Sequence, residues 1–144
     1  MNENDTIQLL KQCDSGTKMA VSTIDELLDK AHSSHVKHLL SESKTHHETL
    51  GNEIHTLLIR HQSEEKDPSP MAKSMSWLKT NMKMNMEESD ATIADLVTDG
   101  CNMGIKNLCK YLNQYQAADD ISKGICKQLI DIEEQLRKEL CRYL

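Results

Sequence analysis

Apolar residues recur every three or four positions over most of the chain, and this spacing predicts amphipathic α-helices. The first helix is predicted to begin at Asp5, whose side chain can cap it, with Gln8 completing a capping box. His32-Ser33-Ser34 interrupts the spacing, and a second helix follows this short break. The inward positions predicted for the first helix are Ile7, Leu10, Asp14, Thr17, Val21, Ile24, Leu28 and Ala31. Those predicted for the second helix are Val36, Leu40, Ser43, His47, Leu50, Ile54, Leu57 and His61.

The second half of the chain predicts one shorter helix and two further long ones. Residues 62–69 are polar and form a loop, and Ser69-Pro70 is a favourable start for a helix. The capping candidates are Ser89 or Asp90 for the third long helix and Asp119 or Asp120 for the fourth. The inward positions predicted for the third are Ile93, Val97, Cys101, Gly104, Leu108 and Leu112. Those predicted for the fourth are Ile121, Ile125, Leu129, Ile132, Leu136, Leu140 and Leu144.

These elements predict one all-α domain that covers residues 1–144 as a four-helix bundle. The predicted spans are 5–31, 34–62, 90–113 and 120–143 for the four long helices and 70–86 for a crossover helix. The short break after the first helix makes the first two helices an antiparallel hairpin. The stretch between the second and third can run about 30 Å, at ~1.5 Å per helical residue, and carry the chain back along the bundle. The second and third helices are then parallel.

The composition agrees with an all-helical chain. Phe is absent, Trp occurs once and Met occurs eight times, so the core must consist of Leu, Ile, Val and Met. Five of the methionines lie between residues 71 and 86. Thioethers can bind copper(I) or form an adaptable partner surface, but the spacing of Met71, Met75, Met82 and Met86 favours packing across the bundle.

The charge pattern excludes several classes of protein. The net charge is −6 and the basic residues are scattered, which argues against nucleic-acid binding. No apolar run approaches the ~20 residues of a membrane span, and the acidic N-terminus does not resemble a signal peptide. The five cysteines are odd in number and form no C-x-x-C pair, which is typical of reduced thiols in the cytoplasm.

A resemblance to known proteins rests on this helix order and on three short segments. The segments are residues 70–73 (Pro-Met-Ala-Lys), Ser76-Trp77 and residues 100–105 (Gly-Cys-Asn-Met-Gly-Ile). The chain resembles the ferritin-like superfamily, and in particular a small branch of bacterial ferritin-like bundles whose function is uncharacterised. The resemblance implies oxidation or storage of iron at a paired metal centre in the bundle core.

The ligands of such a centre do not appear in the sequence. It requires a Glu from each of two helices and a Glu-x-x-His pair from each of the other two. No Glu-x-x-His is present, and Asp29-x-x-His32 lies at the end of the first helix. We place Glu133, Glu134 and Glu139 outside the inward line of the fourth helix, so we predict no di-iron centre.

Two weaker metal-binding candidates remain. Asp14 and His47 are inward positions about one turn apart across the first hairpin. One interpretation is that they belong to a metal site, either a mononuclear site or the remnant of a larger one. The other is that they form a buried hydrogen-bonded pair, and the small number of accompanying ligands favours this pair. His38, Glu42 and His46 lie at intervals of four on the flank of the second helix and can chelate zinc or nickel. A solvated helix face is favoured there, because one helix alone does not close a structural site.

We therefore expect a non-catalytic ferritin-like helical bundle that acts through oligomerisation or partner binding, with a homodimer as the first expectation. The alternative is a divalent-metal (iron-type) binding or storage protein with a reduced or displaced site. No catalytic residue and no cofactor-binding residue is predicted, and iron or another divalent metal stays open as a cofactor. The cysteines have no neighbouring base in the sequence and are expected to be buried thiols.

Overall fold

The described part of the protein is entirely helical. The structure, a computed structural model, describes residues 3–63 and 87–144. Its helices are α1 (Glu3–Leu28), α2 (Ser34–Arg60), α3 (Asp90–Gln114) and α4 (Asp120–Leu140), followed by a 3₁₀ turn at Cys141–Tyr143. No strand occurs in these two ranges, which confirms the all-α prediction. The predicted crossover helix at 70–86 lies outside the described residues. None of the helices in the described ranges is both long and apolar enough to cross a membrane.

Three of the helices begin at a capping side chain. The Ser33 hydroxyl accepts hydrogen bonds from the backbone amides at the start of α2. The Ser89 hydroxyl accepts one from Thr92 N at 3.1 Å, and the Asp119 carboxylate accepts one from Ser122 N at 2.8 Å. Each cap satisfies an amide that has no partner inside its own helix.

Helix α1 differs from its predicted span at both ends. It starts at Glu3, so Asp5 lies inside it, and the Asp5 carboxylate accepts from Ala117 N at 3.1 Å in the α3–α4 connection. Asp5 therefore ties two parts of the chain together and does not cap a helix. The helix ends at Leu28, where a hydrogen bond from Lys30 N to Leu27 O closes a tighter turn.

The direction of each helix follows from two apolar clusters. The upper cluster contains residues from the end of α1, the starts of α2 and α3 and the end of α4. The lower cluster contains residues from the opposite end of each helix. Helices α1 and α4 therefore run one way, and α2 and α3 run the other way and are parallel. The Asp90 carboxylate fixes the upper end, because it accepts from His32 N and Ser33 N at 2.9 and 3.0 Å.

The predicted inward line of α4 is wrong at its two ends. Ile121 is 64% exposed and Leu144 is 65% exposed. The buried residues of α4 are Ser122, Ile125, Cys126, Leu129, Leu136 and Leu140. The helix is therefore rotated toward Ser122 and Cys126, which turns Ile121 into solvent, and Leu144 follows the 3₁₀ turn instead of continuing the helix.

Candidate functional site

A layer of polar side chains separates the two apolar clusters. On α1, Thr17 lies between Cys13 of the lower cluster and Ile24 of the upper one, and its exposed fraction is 4%. On α2, Ser43 and His47 lie between Leu40 and Leu50, and their exposed fractions are 5% and 2%. On α4, Glu133 lies between Leu129 and Leu136. The middle of the bundle is therefore the place where its core can contact a polar ligand.

Two cavities open onto this layer on the side of α1 and α3. Their volumes are about 130 Å³ and about 110 Å³. Four residues line both cavities, namely Gly16 and Met19 of α1, His47 of α2 and Glu133 of α4. Because the two cavities share these four residues, we treat them as one groove, the α1–α3 groove. His47 and Glu133 are the ionisable residues that line both cavities.

Glu133 reaches the groove because α3 has a glycine opposite it. A Cβ atom on Gly104 would lie 2.6 Å from each of the two Glu133 carboxylate oxygens, whereas a Cβ on Gly100 would meet nothing within 4 Å. The Glu133 Oε2 atom is buried and has no hydrogen-bond partner. Burial raises the pKa of the Glu133 carboxyl to about 8, because the anion loses its hydration without gaining a partner. Glu133 is therefore mostly protonated at neutral pH.

His47 is held by its own helix. Its Nδ1 donates a hydrogen bond to the Ser43 carbonyl at 2.8 Å, which places the proton of the neutral ring on Nδ1 and leaves Nε2 as an acceptor. Burial lowers the pKa of His47, and this effect exceeds the opposing effect of the Ser43 hydrogen bond. The imidazole is therefore neutral and presents one lone pair.

Asp14 and His47, which the sequence placed close together, line different cavities of the bundle. The Asp14 carboxylate pairs with Lys18 Nζ of the same helix at 3.0 Å. Asp14 and Lys18 line a separate cavity toward α2, together with Asp25 and Glu48, whereas His47 lines the α1–α3 groove. His47 thus shares the walls of its groove with Glu133, and the Asp14–His47 pair stays a prediction.

The flank of α2 carries the other predicted metal ligands on its surface. His38 Nε2 lies 3.1 Å from Glu42 Oε2, and both side chains are more than half exposed. His46 is also exposed. Glu42 and His46 line a shallow depression with Asp131 and Glu139 of α4. The observed interaction on this flank is an exposed contact between His38 and Glu42, which is an ion pair only when the imidazole is protonated, and exposed ion pairs contribute about 0–1 kcal/mol to stability.

The described residues do not fit the paired metal centre that the resemblance implies. Within residues 3–63 and 87–144, no group of three or more His, Cys, Asp or Glu side chains is arranged to hold a metal ion. His47 and Glu133 supply two potential ligands, whereas a paired centre requires six carboxylate and imidazole ligands from four helices. We therefore derive no metal chemistry from this site.

The cysteines of the described ranges are free thiols. Cys109 and Cys141 are exposed, so the expectation of buried thiols is wrong for these two, whereas the buried ones suit packing better than catalysis. Cys13 and Cys126 are fully buried, and the Cys13 thiol hydrogen-bonds to Cys126. Cys101 lines the groove, but burial, helped by the nearby Glu133, raises its pKa to about 12. A thiol with that pKa stays protonated at neutral pH and is a poor nucleophile.

Comparison of the chain with known protein families, curated protein sequences and solved structures gave no significant match. The functional assignment below therefore depends on the side chains of the groove and on the helix arrangement.

Glu133 is the residue that sequence reasoning missed. The prediction that α4 offers no inward carboxylate is wrong, because Glu133 lines both cavities of the groove. The sequence did contain a signal for the observed orientation of α4. Its inward residues follow one another in alternating steps of four and three positions, through Ser122, Cys126, Leu129, Glu133, Leu136 and Leu140. A series with alternating steps of four and three fits a helix packed against neighbours better than a series with repeated steps of four. This series contains three polar or weakly apolar residues, however. The prediction therefore chose the adjacent series, which contains the apolar residues Ile121 and Ile132.

Proposed function

We propose that the protein is a non-catalytic helical bundle of the ferritin-like type that binds a small molecule in the α1–α3 groove. The parallel arrangement of α2 and α3 supports the ferritin-like topology, because Ser63 and Glu87 then lie at opposite ends of the bundle. A single observation carries the binding function, namely that a carboxyl group with one buried, unpartnered oxygen and a buried imidazole line the same groove. Ligand sites in proteins typically combine apolar walls with a few polar groups of perturbed pKa.

Binding is favoured over catalysis because the groove lacks an activated nucleophile. The thiol that lines it, Cys101, has a raised pKa. His47 Nδ1 donates its hydrogen bond to the Ser43 carbonyl. In a catalytic triad the corresponding nitrogen of the base donates to a carboxylate, which orients the ring. The groove can therefore hold and orient a small molecule, whereas the side chains that line the groove do not include an activated nucleophile with its base.

The test uses small alkyl probes and two glycine variants. The ¹³C-methyl signal of Met19, which lines both cavities, is followed during titration with 1-butanol, butyramide and n-butylammonium chloride. We expect at least one probe to shift this signal in a saturable way, with a dissociation constant of about 1 mM for a ligand of so few atoms. In Gly104→Ala the new methyl group displaces the Glu133 carboxyl, and we expect binding to weaken by about tenfold or more, the equivalent of one polar contact.

Gly124→Ala is the matched control, because it adds the same methyl group in open space on α4 at a position that lines neither cavity. Its affinity for the probe is expected to stay within about threefold of the wild-type value. A Met19 signal that no probe shifts, or equal weakening in both glycine variants, would show that the groove is not a ligand site.

Homo-oligomerisation is the second candidate function. Ile59 at the end of α2 and Ile121 at the start of α4 are 59% and 64% exposed. Both helix ends belong to the level of the lower cluster. Apolar side chains exposed to this extent on neighbouring elements are common at protein–protein contacts.

We expect the wild-type protein to be a dimer by sedimentation equilibrium and the double variant Ile59→Lys/Ile121→Lys to be a folded monomer, because four charges would face one another across a two-fold contact. Met103→Lys is the control, since Met103 is exposed to a similar extent on α3. A monomeric wild-type protein would contradict this candidate.

A further inference from the structure

Two thiol groups from different helices meet in the lower apolar cluster. Cys13 of α1 and Cys126 of α4 both belong to this cluster, and neither side chain is exposed. The Cys13 thiol donates a hydrogen bond to the Cys126 sulfur, and the Cys126 thiol donates one to the Leu108 carbonyl at 3.6 Å. Two sulfur atoms that face each other across a helix–helix interface are the starting arrangement for a disulfide, because the bond needs side chains that point toward each other.

The other three cysteines lie away from this pair. All five cysteines fall in the described ranges, and of these five only Cys13 and Cys126 belong to the lower cluster. Cys101 belongs to the upper cluster, on the opposite side of the polar layer. Cys109 and Cys141 are exposed. Cys13 and Cys126 are therefore the two thiols that the fold presents to each other.

The two thiols of the pair differ in acidity. The hydrogen bond from Cys13 lowers the pKa of Cys126, because the Cys126 thiolate gains a donor. The same hydrogen bond, together with burial, raises the pKa of Cys13. Since the thiolate is the reactive form of a cysteine, Cys126 is the nucleophile of the pair, and Cys13 is the thiol that stays protonated beside it.

The α1–α3 groove brings small molecules close to the pair, because neighbours of both thiols line one of its cavities. Gln12 precedes Cys13 in α1. Leu108 accepts the hydrogen bond from Cys126, and Leu129 follows Cys126 by one turn of α4. A cavity of about 130 Å³ admits a molecule of a few heavy atoms. Core side chains change rotamer, so a molecule of that size can pass this wall.

We propose that Cys13 and Cys126 are a redox switch, which closes to a disulfide when a small hydroperoxide enters the groove and locks α1 to α4. The Cys126 sulfur attacks one oxygen of the hydroperoxide, the O–O bond breaks, and the other oxygen leaves as an alcohol or water with the proton of the Cys126 thiol. The Cys13 sulfur then attacks the sulfur of the Cys126 sulfenic acid, and the S–O bond breaks as the hydroxyl group leaves as water with the Cys13 proton. In total the two thiols lose two electrons and two protons, and the hydroperoxide takes up both.

The test is oxidation of the full chain by hydrogen peroxide, followed by peptide mapping under non-reducing conditions. We expect one disulfide-linked pair of peptides that contains Cys13 and Cys126, and we expect dithiothreitol to separate them. The oxidised protein should melt about 10 °C higher than the reduced protein, because a disulfide that closes a long segment of chain stabilises the fold. Cumene hydroperoxide is too bulky for the cavity, so it should oxidise the pair about tenfold more slowly than hydrogen peroxide does, when each rate is divided by that of the exposed Cys109.

Cys109→Ser/Cys141→Ser is the matched control, because it removes the two exposed thiols and keeps the pair. It should keep the disulfide and the rise in melting temperature, whereas Cys126→Ala in the same background should lose both. In Cys13→Ala the sulfenic acid should persist on Cys126, where dimedone traps it. A wild-type chain in which Cys13 and Cys126 stay reduced while Cys109 is oxidised, or in which the disulfide joins other cysteines, would overturn the inference whatever the folding of the variants. The alkyl-probe titration of Met19 is a separate measurement, so this switch and the proposed function can fail independently.

Discussion

Replacing Leu50 by Asp is expected to unfold the protein. Leu50 is 5% exposed and belongs to the lower apolar cluster with Ile54 and Leu58. The substitution removes an apolar contact and places an unpaired charge in the core, at a cost on the order of several kcal/mol. The total stability of a domain of this size is about 5–15 kcal/mol. We expect the cooperative loss of helical circular dichroism on heating to disappear or to shift downward by tens of degrees, at roughly 3–6 °C per kcal/mol.

Thr49→Asp introduces the same charge one residue earlier on the exposed face of α2. It should change the stability by about 0.5 kcal/mol or less. Ile132→Asp should have an intermediate effect, because Ile132 is only partly buried. Equal melting temperatures for Leu50→Asp and Thr49→Asp would contradict the orientation of α2 described here.

Replacing Glu133 by Gln is expected to make the protein more stable at alkaline pH. The carboxyl has a pKa of about 8 in the folded protein and an ordinary value of 4.5. Below the ordinary value both the folded and the unfolded chain are protonated, and the wild-type protein loses nothing. As the pH rises from there to the folded pKa, the unfolded chain ionises first and the folded state is destabilised progressively. Since each tenfold change in the ionisation equilibrium corresponds to about 1.4 kcal/mol, the full loss is about 5 kcal/mol.

The measurement is the free energy of unfolding by urea at about pH 4, 6 and 9 for both proteins. The difference between Glu133→Gln and the wild type should grow by several kcal/mol across this range in favour of the variant. His47 acts in the opposite direction in both proteins. The lowered pKa of His47 means that stability is lost as the pH falls through its ordinary value of 6.5. Because both proteins contain His47, this contribution cancels in the difference between them. Glu134→Gln should follow the wild-type curve, and a Glu133→Gln curve parallel to the wild type would show that Glu133 ionises freely.

The helical character of the chain could be predicted from the sequence, because each long helix has a continuous series of apolar positions and a short polar break at its start. The caps at Ser89 and Asp119 were among the predicted candidates. Asp5 was not a cap, because its contact with Ala117 joins residues far apart in the sequence. Such a contact depends on the tertiary arrangement and has no local signal.

The candidate site could be predicted only in part. His47, Ser43 and Thr17 were inward positions in the sequence and are buried in the structure. Glu133, which lines the same groove as His47, was not predicted, because the orientation of α4 depends on its packing against three other helices. Ile132 and Glu133 are both partly buried, with Ile132 against the lower cluster and Glu133 in the groove. The carboxyl group can occupy the groove because Gly104 leaves space for it.

The polar layer between the two apolar clusters also determines how the helices align along their axes. Helices with a regular series of inward apolar residues can slide past one another by seven residues, about 10 Å, and still bury those residues. Such a shift would place Glu133 or His47 against the leucines of one cluster. A buried polar group opposite an apolar partner costs about 1–3 kcal/mol, so the layer disfavours the shifted packings. Replacing both residues by Leu would therefore remove one of the features that disfavour shifted alignments, and the hydrogen bonds of Asp90 and Asp5 at the two ends of the bundle would remain to oppose them.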